Sequence, residues 1–461
     1  MTETRFRIAR RFVAVAVLAA FMSAPLSVDS VSATKARKSE LASELDLFGK
    51  VLDQVHARYV DVPNDKKLIR GAIDGMLAAL DPHSFYMTAA DYEKMSQDIA
   101  GEFGGVGLIV EADRDGIRIV TVIDGTPASK SQLKSNDVIV KINAEPSKGM
   151  PLGKAVDLLQ GTPGSKVTLT VVRKDVNTPI SVTLKRDTIH LNPVEQHAEG
   201  KVSYIKVTTF NELTAKELAD AIATTKKTIG ADLKGYILDL RNNPGGLLDQ
   251  AIAVSSEVLT KGDIVSIKGR SLSDMEDFSS DSSDMTNAKP IVVLINGGTA
   301  SAAEIVAGAL QDDKRAIVVG TRSFGKGTVQ TLLPLGGKRG ALNLTTARYF
   351  TPSGRSIQAK GINPDIIVQE QVPDSVKEST AGTFASGGER ALPNHLHNPD
   401  QTSDDTGGDP SILYVPDDPQ KDAQLQYALD FLNKLPDGAV QADVPSPSTD
   451  VAAKGAPSPL P

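Results

Sequence analysis

The sequence predicts a multidomain α/β protein with a helical N-terminal segment, a compact β-rich module and a larger α/β block built on a mostly parallel sheet. The chain has 461 residues, which is too long for one ordinary hydrophobic core. Its apolar residues recur at helical spacing over 39–99, and short alternating runs separated by Gly and polar turns fill 101–187. Strand-like and helical patterns alternate over 188–370, which is typical of a parallel sheet.

Composition excludes several classes of function. The net charge is −7 and the pI is about 5.5, with no basic stripe, so we expect no nucleic-acid partner. The chain has no cysteine, which excludes disulfides and a thiol nucleophile, and no tryptophan. The sequence therefore predicts a protein whose chemistry depends on other nucleophiles.

The N-terminus predicts export. Four arginines up to Arg11 precede an apolar run from Val13 to Met22, and Val31-Ser-Ala33 offers a small-residue cleavage signal. This layout is typical of a secretory signal peptide, which we assign to residues 1–33. An uncleaved amphipathic helix is the alternative. We expect an exported, periplasmic protein, with association with the inner membrane left open.

Four further boundaries follow from the changes in pattern. We assign a helical N-terminal region to 34–99, the β-rich module to 100–187 and the α/β block to 188–372. Beyond it, residues 373–410 read as an acidic mobile segment, and "DAQLQYALDFLNKL" predicts one amphipathic helix in an extension ending at 435. Residues 436–461 are rich in Pro, Ala and Ser, and we expect disorder there.

Two strand ends carry the first candidate site. In "LINGGTASAAEIVAGAL" a buried strand, a glycine turn and a helix place Ser301 at a helix N-terminus, where backbone N–H groups can stabilise an oxyanion. The alternative is that Ser301 or Thr299 is a helix cap. In "YILDLRNNPGG", Gly245 and Gly246 allow a ligand close to the backbone, although an ordinary turn or the Mg²⁺-binding strand of a nucleotide hydrolase fits too.

Lys326 in "GTRSFGKGT" has three possible interpretations. The stretch resembles a P-loop, but Gly327 stands where a Ser or Thr should bind Mg²⁺, and the residues that follow look like a strand. A buried lysine with a lowered pKa can instead act as a general base, with Gln330 to orient its amine. The third reading is a solvated lysine. No histidine motif supports a Ser-His-Asp triad, and His83 in "DPHSFY" reads as a turn or core residue.

Together these blocks resemble those of the carboxy-terminal processing peptidases, tail-specific serine endopeptidases with a PDZ domain and a Ser-Lys dyad. The matching stretches are "YILDLRNNPGGLL", "GGTASAAEIVAGAL", "GTRSFGKGTVQ" and "ARYFTPSGRSIQAKGINPDI". The resemblance covers roughly residues 40–370 and implies Ser301 as the nucleophile, Lys326 as the general base and Gln330 as its positioning residue. It also implies an oxyanion hole made by the amides of Ala302 and Gly246, with Gly245 as the next choice.

The resemblance further makes the β-rich module a PDZ-like domain whose "EFGGVGLIV" stretch captures a substrate's C-terminal carboxylate through backbone N–H groups and a strand edge. The residues implied in peptide binding are Gly104, Gly105, Val106, Gly107 and Leu108. Departures from the family pattern include Gln132, Ser135, Asn136 and Ala144 in the module, and Ala303 after the nucleophile.

The function expected from the resemblance is ATP-independent cleavage of exported proteins at exposed, apolar C-terminal tails, with no cofactor and no metal. The alternative is a non-catalytic PDZ peptide-binding or adaptor protein. The further partners considered are an adaptor or activator protein and, as a homo-oligomer, a second copy of the chain.

Overall fold

The computed structural model describes residues 28–174, 176, 178–374, 385–400 and 411–444, and the chain forms two compact units, residues 1–72 and 73–461. The predicted signal segment up to residue 27 and the predicted tail from residue 445 lie outside the described residues. So do 375–384 and 401–410 of the predicted mobile segment. Within the described ranges, no helix combines the length and apolarity that a membrane span requires.

The first unit contains helix α1 (Val28–Arg58) and the start of α2 (Asp65–Ala78). Leu41, Leu45, Phe48 and Val51 of α1 recur at helical spacing, as the sequence pattern predicts, and their side chains are exposed. This unit therefore carries an exposed apolar face on α1.

The second unit begins within α2 and continues with a short strand, β1 (Phe85–Met87), and helix α3 (Ala89–Ala100). A capping box between Thr88 and Asp91 starts α3, and Gly101, with φ of 68°, ends it in the left-handed conformation. The local sequence thus fixes both ends of this helix.

The β-rich module is an antiparallel sheet with one helix against it. Its strands lie in the order β3-β4-β5-β7-β8, with β6 paired to β5, so β3 is an edge strand. Outside this sheet, β2 and β9 pair in a separate two-stranded antiparallel ladder. The elements are β2 (Glu102–Gly105), β3 (Leu108–Asp113), β4 (Gly116–Val122), β5 (Val138–Ile142), β6 (Glu145–Pro146), α4 (Leu152–Leu159), β7 (Lys166–Val172), β8 (Ile180–Lys185) and β9 (Asp187–His190).

A six-stranded sheet forms the centre of the α/β block, in the order β10-β11-β12-β15-β16-β19. All neighbouring pairs except β10 with β11 are parallel. Parallel strands bring their carboxyl ends to one edge, where sites in such folds form. The strands are β10 (Val194–Glu199), β11 (Val202–Val207), β12 (Gly235–Asp239), β15 (Ile291–Ile295), β16 (Ile317–Gly320) and β19 (Ile366–Ile367).

Helices cover both faces of this sheet. Because side chains alternate along a strand, Leu238 and Val293 pack with helices on one face, while Ile237 and Val292 pack with a helix on the other. The first face is covered by α5 (Thr214–Thr228), α6 (Leu248–Val258) and α7 (Ala302–Asp312), and the second by the C-terminal helix α8 (Ala423–Lys434). The last helix of the chain is thus part of the core.

The mostly parallel arrangement holds for the central sheet, but a second sheet in the block is antiparallel. Its order is β1-β18-β13-β14, with β17 also paired to β18. Hairpin connections and long alternating strands favour antiparallel pairing here, and the sequence pattern did not separate these strands from the parallel ones. The strands are β13 (Gly262–Gly269), β14 (Met275–Ser280), β17 (Thr328–Pro334) and β18 (Ala341–Phe350).

A buried ion cluster holds the C-terminal extension onto the carboxyl end of β12. The Arg241 guanidinium, 1% exposed, donates to Asp239 on its own strand end and to both oxygens of Asp422, at 2.9 and 2.8 Å. Asp422 in turn caps α8 by accepting from the N–H of Leu425. The extension also contributes a short ladder between β20 (Ala385–Ser386) and β21 (Ser411–Ile412).

Candidate active site

Ser301 lies where the turn after β15 becomes α7. Its φ of 54° is positive, which is strained for a residue with a Cβ and is common at functional turns. The Thr299 hydroxyl, considered above as a cap, instead accepts from the N–H of Asn296 at 3.0 Å and donates to Leu240 O at 2.8 Å. Thr299 therefore ties this turn to the neighbouring strand end and fixes where Ser301 sits.

Glu304, one turn into α7, joins the two candidate catalytic segments. Its fully buried carboxylate accepts from the N–H groups of Ser301 and Lys326, each at 2.9 Å, and of Gly325 at 2.7 Å. The Ser323 hydroxyl is the fourth donor. Burial nevertheless raises the pKa of Glu304 to about 7, because desolvation outweighs the four hydrogen bonds that favour the charged form.

Lys326 lies in the loop between β16 and β17. The loop leads into a strand at Thr328 rather than a helix, which is contrary to a P-loop, where a helix follows the lysine. The side chain is partly buried, and this burial lowers the pKa of Lys326 although the charges of Glu389, Glu304 and Asp81 oppose the shift. A lysine in this setting is more readily deprotonated than one in solvent.

Tyr349 of β18 contacts both candidate catalytic segments. Its buried hydroxyl donates to the carbonyl of Lys326 and also interacts with the Ser301 side chain. Burial, together with the charges of Glu304 and Glu389, raises the pKa of Tyr349 well above its ordinary value. The phenol therefore stays protonated and acts as a fixed donor beside the serine.

Gln330 lies in β17, next to a bulge that follows Val329. Its Nε2 donates to the hydroxyls of Thr328 and Thr345, at 3.0 and 3.1 Å. The Thr345 hydroxyl then donates to Asp81 Oδ1 at 3.1 Å, and Asp81 is one of the charges that act on Lys326. Among the described residues, the Gln330 side chain therefore bonds to Thr328 and Thr345 and not to Lys326 itself; its connection with the lysine is indirect, through the charge of Asp81.

The glycine turn after β12 lies against the start of α7. A Cβ on Gly245 would come within 2.8 Å of Ser301 Cβ and 2.9 Å of Ala302 N, so this turn closely approaches Ser301 and the amide of Ala302. The Gly245 N–H donates to Asn243 Oδ1 at 2.9 Å. In the described part of the chain the N–H groups of Gly246 and Ala302 have no acceptor, which leaves both available to an oxyanion.

The residues implied in peptide binding follow one another through a tight turn into an edge strand. Gly104 and Gly105 pair with Thr188 and Asp187 in the β2–β9 ladder. Val106 is buried in the module's core, and Gly107, with φ of 80°, packs against Thr126. Leu108 then opens β3, whose free edge lies beside α4.

The C-terminal extension touches both turns of the candidate site. The Asn242 side chain donates to Leu413 O at 2.9 Å, and the Thr321 hydroxyl bonds to the Ser411 hydroxyl at 2.7 Å. Gly297, in the turn before Ser301, packs against Ser411 and Ser386 with no room for a Cβ. Part of the segment predicted to be mobile is therefore packed against the site.

Sequence reasoning missed several residues of this constellation. Glu304 carries a readable signal, because a Ser followed three residues later by Glu at a helix start is a capping-box pattern. Tyr349 and Glu389 carry none. His83, expected to be a turn or core residue, bonds through Nε2 to the buried carboxylate of Glu389 at 2.8 Å.

The comparisons with known proteins cover most of the chain. Residues 201–368 match peptidase family S41, residues 104–184 a PDZ domain, and residues 10–91 the N-terminal domain of the activating protease CtpB. A carboxy-terminal-processing protease of Bartonella bacilliformis is 45% identical over 417 residues, 90% of this chain and 94% of that protein. The carboxy-terminal processing protease CtpA of Bacillus subtilis is 40% identical over 73% of this chain and 71% of that protein.

Among solved structures, the photosystem II D1 C-terminal processing protease is 30% identical, with a TM-score of 0.41 over 68% of this chain and 85% of that chain. The family matches and the curated relatives define the class as a serine-type peptidase that carries a PDZ domain. The chain belongs to peptidase family S41, among the carboxy-terminal-processing proteases.

Proposed function

We propose that the protein is an ATP-independent serine endopeptidase that cleaves exported proteins after binding their exposed C-terminal tails, by Ser-Lys acyl-enzyme chemistry. The observation that carries this proposal is the shared carboxylate of Glu304. This carboxylate accepts hydrogen bonds from the backbone N–H groups of both Ser301 and Lys326. The burial of Lys326 also lowers the pKa of its amine. A nucleophile and a base are thereby coupled in one rigid constellation.

In the acylation step, neutral Lys326 accepts the Ser301 hydroxyl proton as the serine oxygen bonds to the scissile carbonyl carbon. The negative charge that develops on the carbonyl oxygen is stabilised by the N–H groups of Gly246 and Ala302. Collapse of this intermediate breaks the peptide C–N bond, and the ammonium of Lys326 returns its proton to the leaving amine. The products are an acyl-enzyme on Ser301 and the released C-terminal fragment.

In the deacylation step, Lys326 takes a proton from a water molecule, whose oxygen attacks the ester carbonyl. The same amides stabilise the second oxyanion, and the proton returns to the Ser301 oxygen as the ester bond breaks. Gln330 is assigned a positioning role: it bonds to Thr345, which bonds to Asp81, and the charge of Asp81 acts on the lysine. The chemistry needs neither a nucleotide nor a metal.

Substrate selection is assigned to the PDZ domain. The turn over Gly104, Gly105, Val106 and Gly107 would take the terminal carboxylate through backbone N–H groups, and the free edge of β3 from Leu108 onward would pair with the extended tail. Apolar tail residues suit a site between an edge strand and α4, since Leu108 and Val110 pack on the apolar core of the domain.

The remaining elements of the proposal concern location and partners. An N-terminal signal segment would deliver the protein to the periplasm, with association with the inner membrane left open. The exposed apolar residues of α1, Leu41, Leu45, Phe48 and Val51, would suit contact with a second copy of the chain or with an adaptor or activator protein.

The test is cleavage of an unfolded reporter that ends in an apolar tail, in buffer with a chelator and without ATP. Wild type, Ser301→Ala and Lys326→Ala are compared, and Lys338→Ala, an exposed lysine in the β17–β18 hairpin, serves as the matched control. The proposal expects cleavage by the wild type and the control alone. Amidation of the reporter's C-terminus should weaken binding, as seen in a higher KM, with kcat unchanged.

Two outcomes would contradict it. Cleavage that survives Lys326→Ala would assign the base to another group. Tail binding by wild type and Ser301→Ala alike, with cleavage by neither even when the native partner is added, would make the chain a PDZ peptide-binding protein instead.

A further inference from the structure

Glu389 is a buried carboxylate that the proposed mechanism does not use. It lies in the C-terminal extension, beyond the residues that match the S41 family, and its side chain is 1% exposed. Its oxygens accept from His83 Nε2 at 2.8 and 3.0 Å and from Gln358 Nε2 at 3.1 Å. A carboxylate removed from water in this way needs such partners, and its charge acts strongly on its surroundings.

The backbone around Glu389 is bonded to the loop that carries Lys326. The Glu389 N–H donates to Phe324 O at 2.9 Å, two residues before the lysine. On the other side of the lysine, the Gly327 N–H donates to Gln358 Oε1 at 2.9 Å, while Nε2 of the same amide donates to Glu389. Glu389 is therefore joined to the chain both before and after Lys326.

The ionisable groups that act on Lys326 come from four elements. They are Glu304 in α7, Asp81 before β1, Glu389 in the extension and, through its contact with the lysine carbonyl, Tyr349 in β18. The oxygens of Glu304 are engaged by three backbone N–H groups and the Ser323 hydroxyl, and those of Asp81 by the His83 and Ser84 amides and by the hydroxyls of Ser84 and Thr345.

Glu389 differs in that its carboxylate partners among the described residues are two side chains, those of His83 and Gln358. Of the three carboxylates, it is also the one whose charge contributes most to holding up the pKa of Lys326 against burial. Of these two partners, His83 is the titratable one.

We propose that Glu389, supplied by the C-terminal extension and held by His83 and Gln358, is a positioning residue that acts as the acidic partner of the Lys326 amine. The inference rests on the proposed function, in which Lys326 becomes an ammonium as it takes the serine proton. Among the described residues the two side chains form no direct ion pair, so the preorganised carboxylate stabilises that positive charge through space as it forms. His83 and Gln358 keep the carboxylate in place.

The proposal predicts two separate effects of the Glu389→Gln substitution. Without the negative charge the free amine of Lys326 is easier to deprotonate, so the acid limb of the kcat/KM profile should move to lower pH by about one unit or more. The forming ammonium also loses its counter-charge, so kcat on the plateau should fall, while KM for the tail, which is set by the PDZ domain, should not change. A residue that merely held the extension in place would lower activity without moving the limb.

The decisive measurement titrates Lys326 itself. Its reaction with an amine-acylating reagent is followed by mass spectrometry as a function of pH, in Ser301→Ala and in Ser301→Ala with Glu389→Gln. We expect the midpoint of labelling to fall by about one pH unit or more in the double variant. Asp430→Asn, which removes an exposed carboxylate of the same extension, should leave the midpoint where it was.

An unchanged midpoint, or one that rises, overturns the proposal. Thermal unfolding of each variant establishes that it is folded. If Glu389→Gln does not fold, Glu389→Asp keeps the charge on a shorter side chain, and a smaller shift in the same direction is expected. An unchanged midpoint in that variant also overturns the proposal.

The labelling experiment is independent of the proposed function, because it needs no cleavage. If Lys326→Ala still cleaves the reporter, the Ser-Lys chemistry fails, whereas the pairing of Glu389 with Lys326 is still decided by the midpoint. If Lys326→Ala is inactive and the midpoint does not move, the pairing fails and the chemistry stands.

Discussion

Ser301 and Lys326 donate their backbone N–H groups to one and the same oxygen, Oε2 of Glu304, each at 2.9 Å. The two residues belong to different elements: Ser301 is at the start of α7, and Lys326 is in the loop before β17. Their common acceptor means that neither segment can shift without straining the other. The relative position of the proposed nucleophile and the proposed base is therefore set by a side chain that need not touch the substrate.

Glu304→Gln should change how stability depends on pH. Burial raises the pKa of Glu304 from 4.5 to about 7, so the folded chain binds this proton more tightly than the unfolded chain does. The stability gained from this group is therefore complete below about pH 4.5 and is lost as the pH rises through 7. In urea unfolding, wild type should gain roughly 2–3 kcal/mol relative to Glu304→Gln on going from pH 8 to pH 5.

A difference between wild type and Glu304→Gln that is the same at both pH values would contradict this assignment. Asp430→Asn is again the matched control, since it makes the corresponding acid-to-amide change at an exposed position.

Lys326→Arg should abolish most of the activity while keeping the positive charge. A guanidinium is not deprotonated in proteins, so it cannot accept the serine proton. We expect kcat to fall roughly 100- to 10,000-fold, the usual contribution of a general base. Lys338→Arg should behave as wild type, and activity within about tenfold of wild type for Lys326→Arg would exclude the lysine as the base.

Thr345→Val tests the route by which Gln330 acts. The change keeps the shape of the side chain but removes the hydroxyl that joins Gln330 to Asp81. Loss of these hydrogen bonds should lower kcat by about tenfold with KM unchanged. Thr346→Val is the matched control, because its hydroxyl pairs with Thr331 at an exposed position; equal effects of the two variants would show that Thr345 has no special role.

Gly245→Ala tests the close approach of the glycine turn to the nucleophile. The new methyl group would lie 2.8 Å from Ser301 Cβ, at a φ of 97° that is also unfavourable for alanine. We expect cleavage to fall at least about tenfold, with a loss of about 1–3 kcal/mol in unfolding free energy. Gly200→Ala shares the positive φ but meets no atom within 4 Å, so it should cost the backbone strain alone and keep the activity.

The order of helices and strands along the chain, and the position of Ser301 at a helix start, could be predicted because the sequence patterns that indicate them are local. Alternating strands, amphipathic helices and the glycine turns before Ser301 each occupy a short stretch of sequence. The contact of His83 with Glu389 joins residues 306 positions apart, and no periodicity or motif marks either of them as its partner. Distant pairings are set by how the sheets stack, which a single sequence does not reveal.

The second sheet escaped prediction for a related reason. β13 and β18 look like other apolar strands, and their antiparallel pairing, such as Ile267 with Tyr349, depends on hairpins and on packing rather than on composition. This sheet matters to the site, because β18 carries Tyr349 and β17 carries Gln330.

The ion cluster of Arg241 has a consequence for the synthesis of the chain. The arginine follows β12, but its partner Asp422 is made 181 residues later, and α8 covers one face of the central sheet only after that. A nascent chain can contain Ser301, Lys326 and the PDZ domain while one face of the central sheet is uncovered and Arg241 is paired with Asp239 but not yet with Asp422. The peptidase core can therefore close only after residues as late as Asp422 and α8 have been added to the chain.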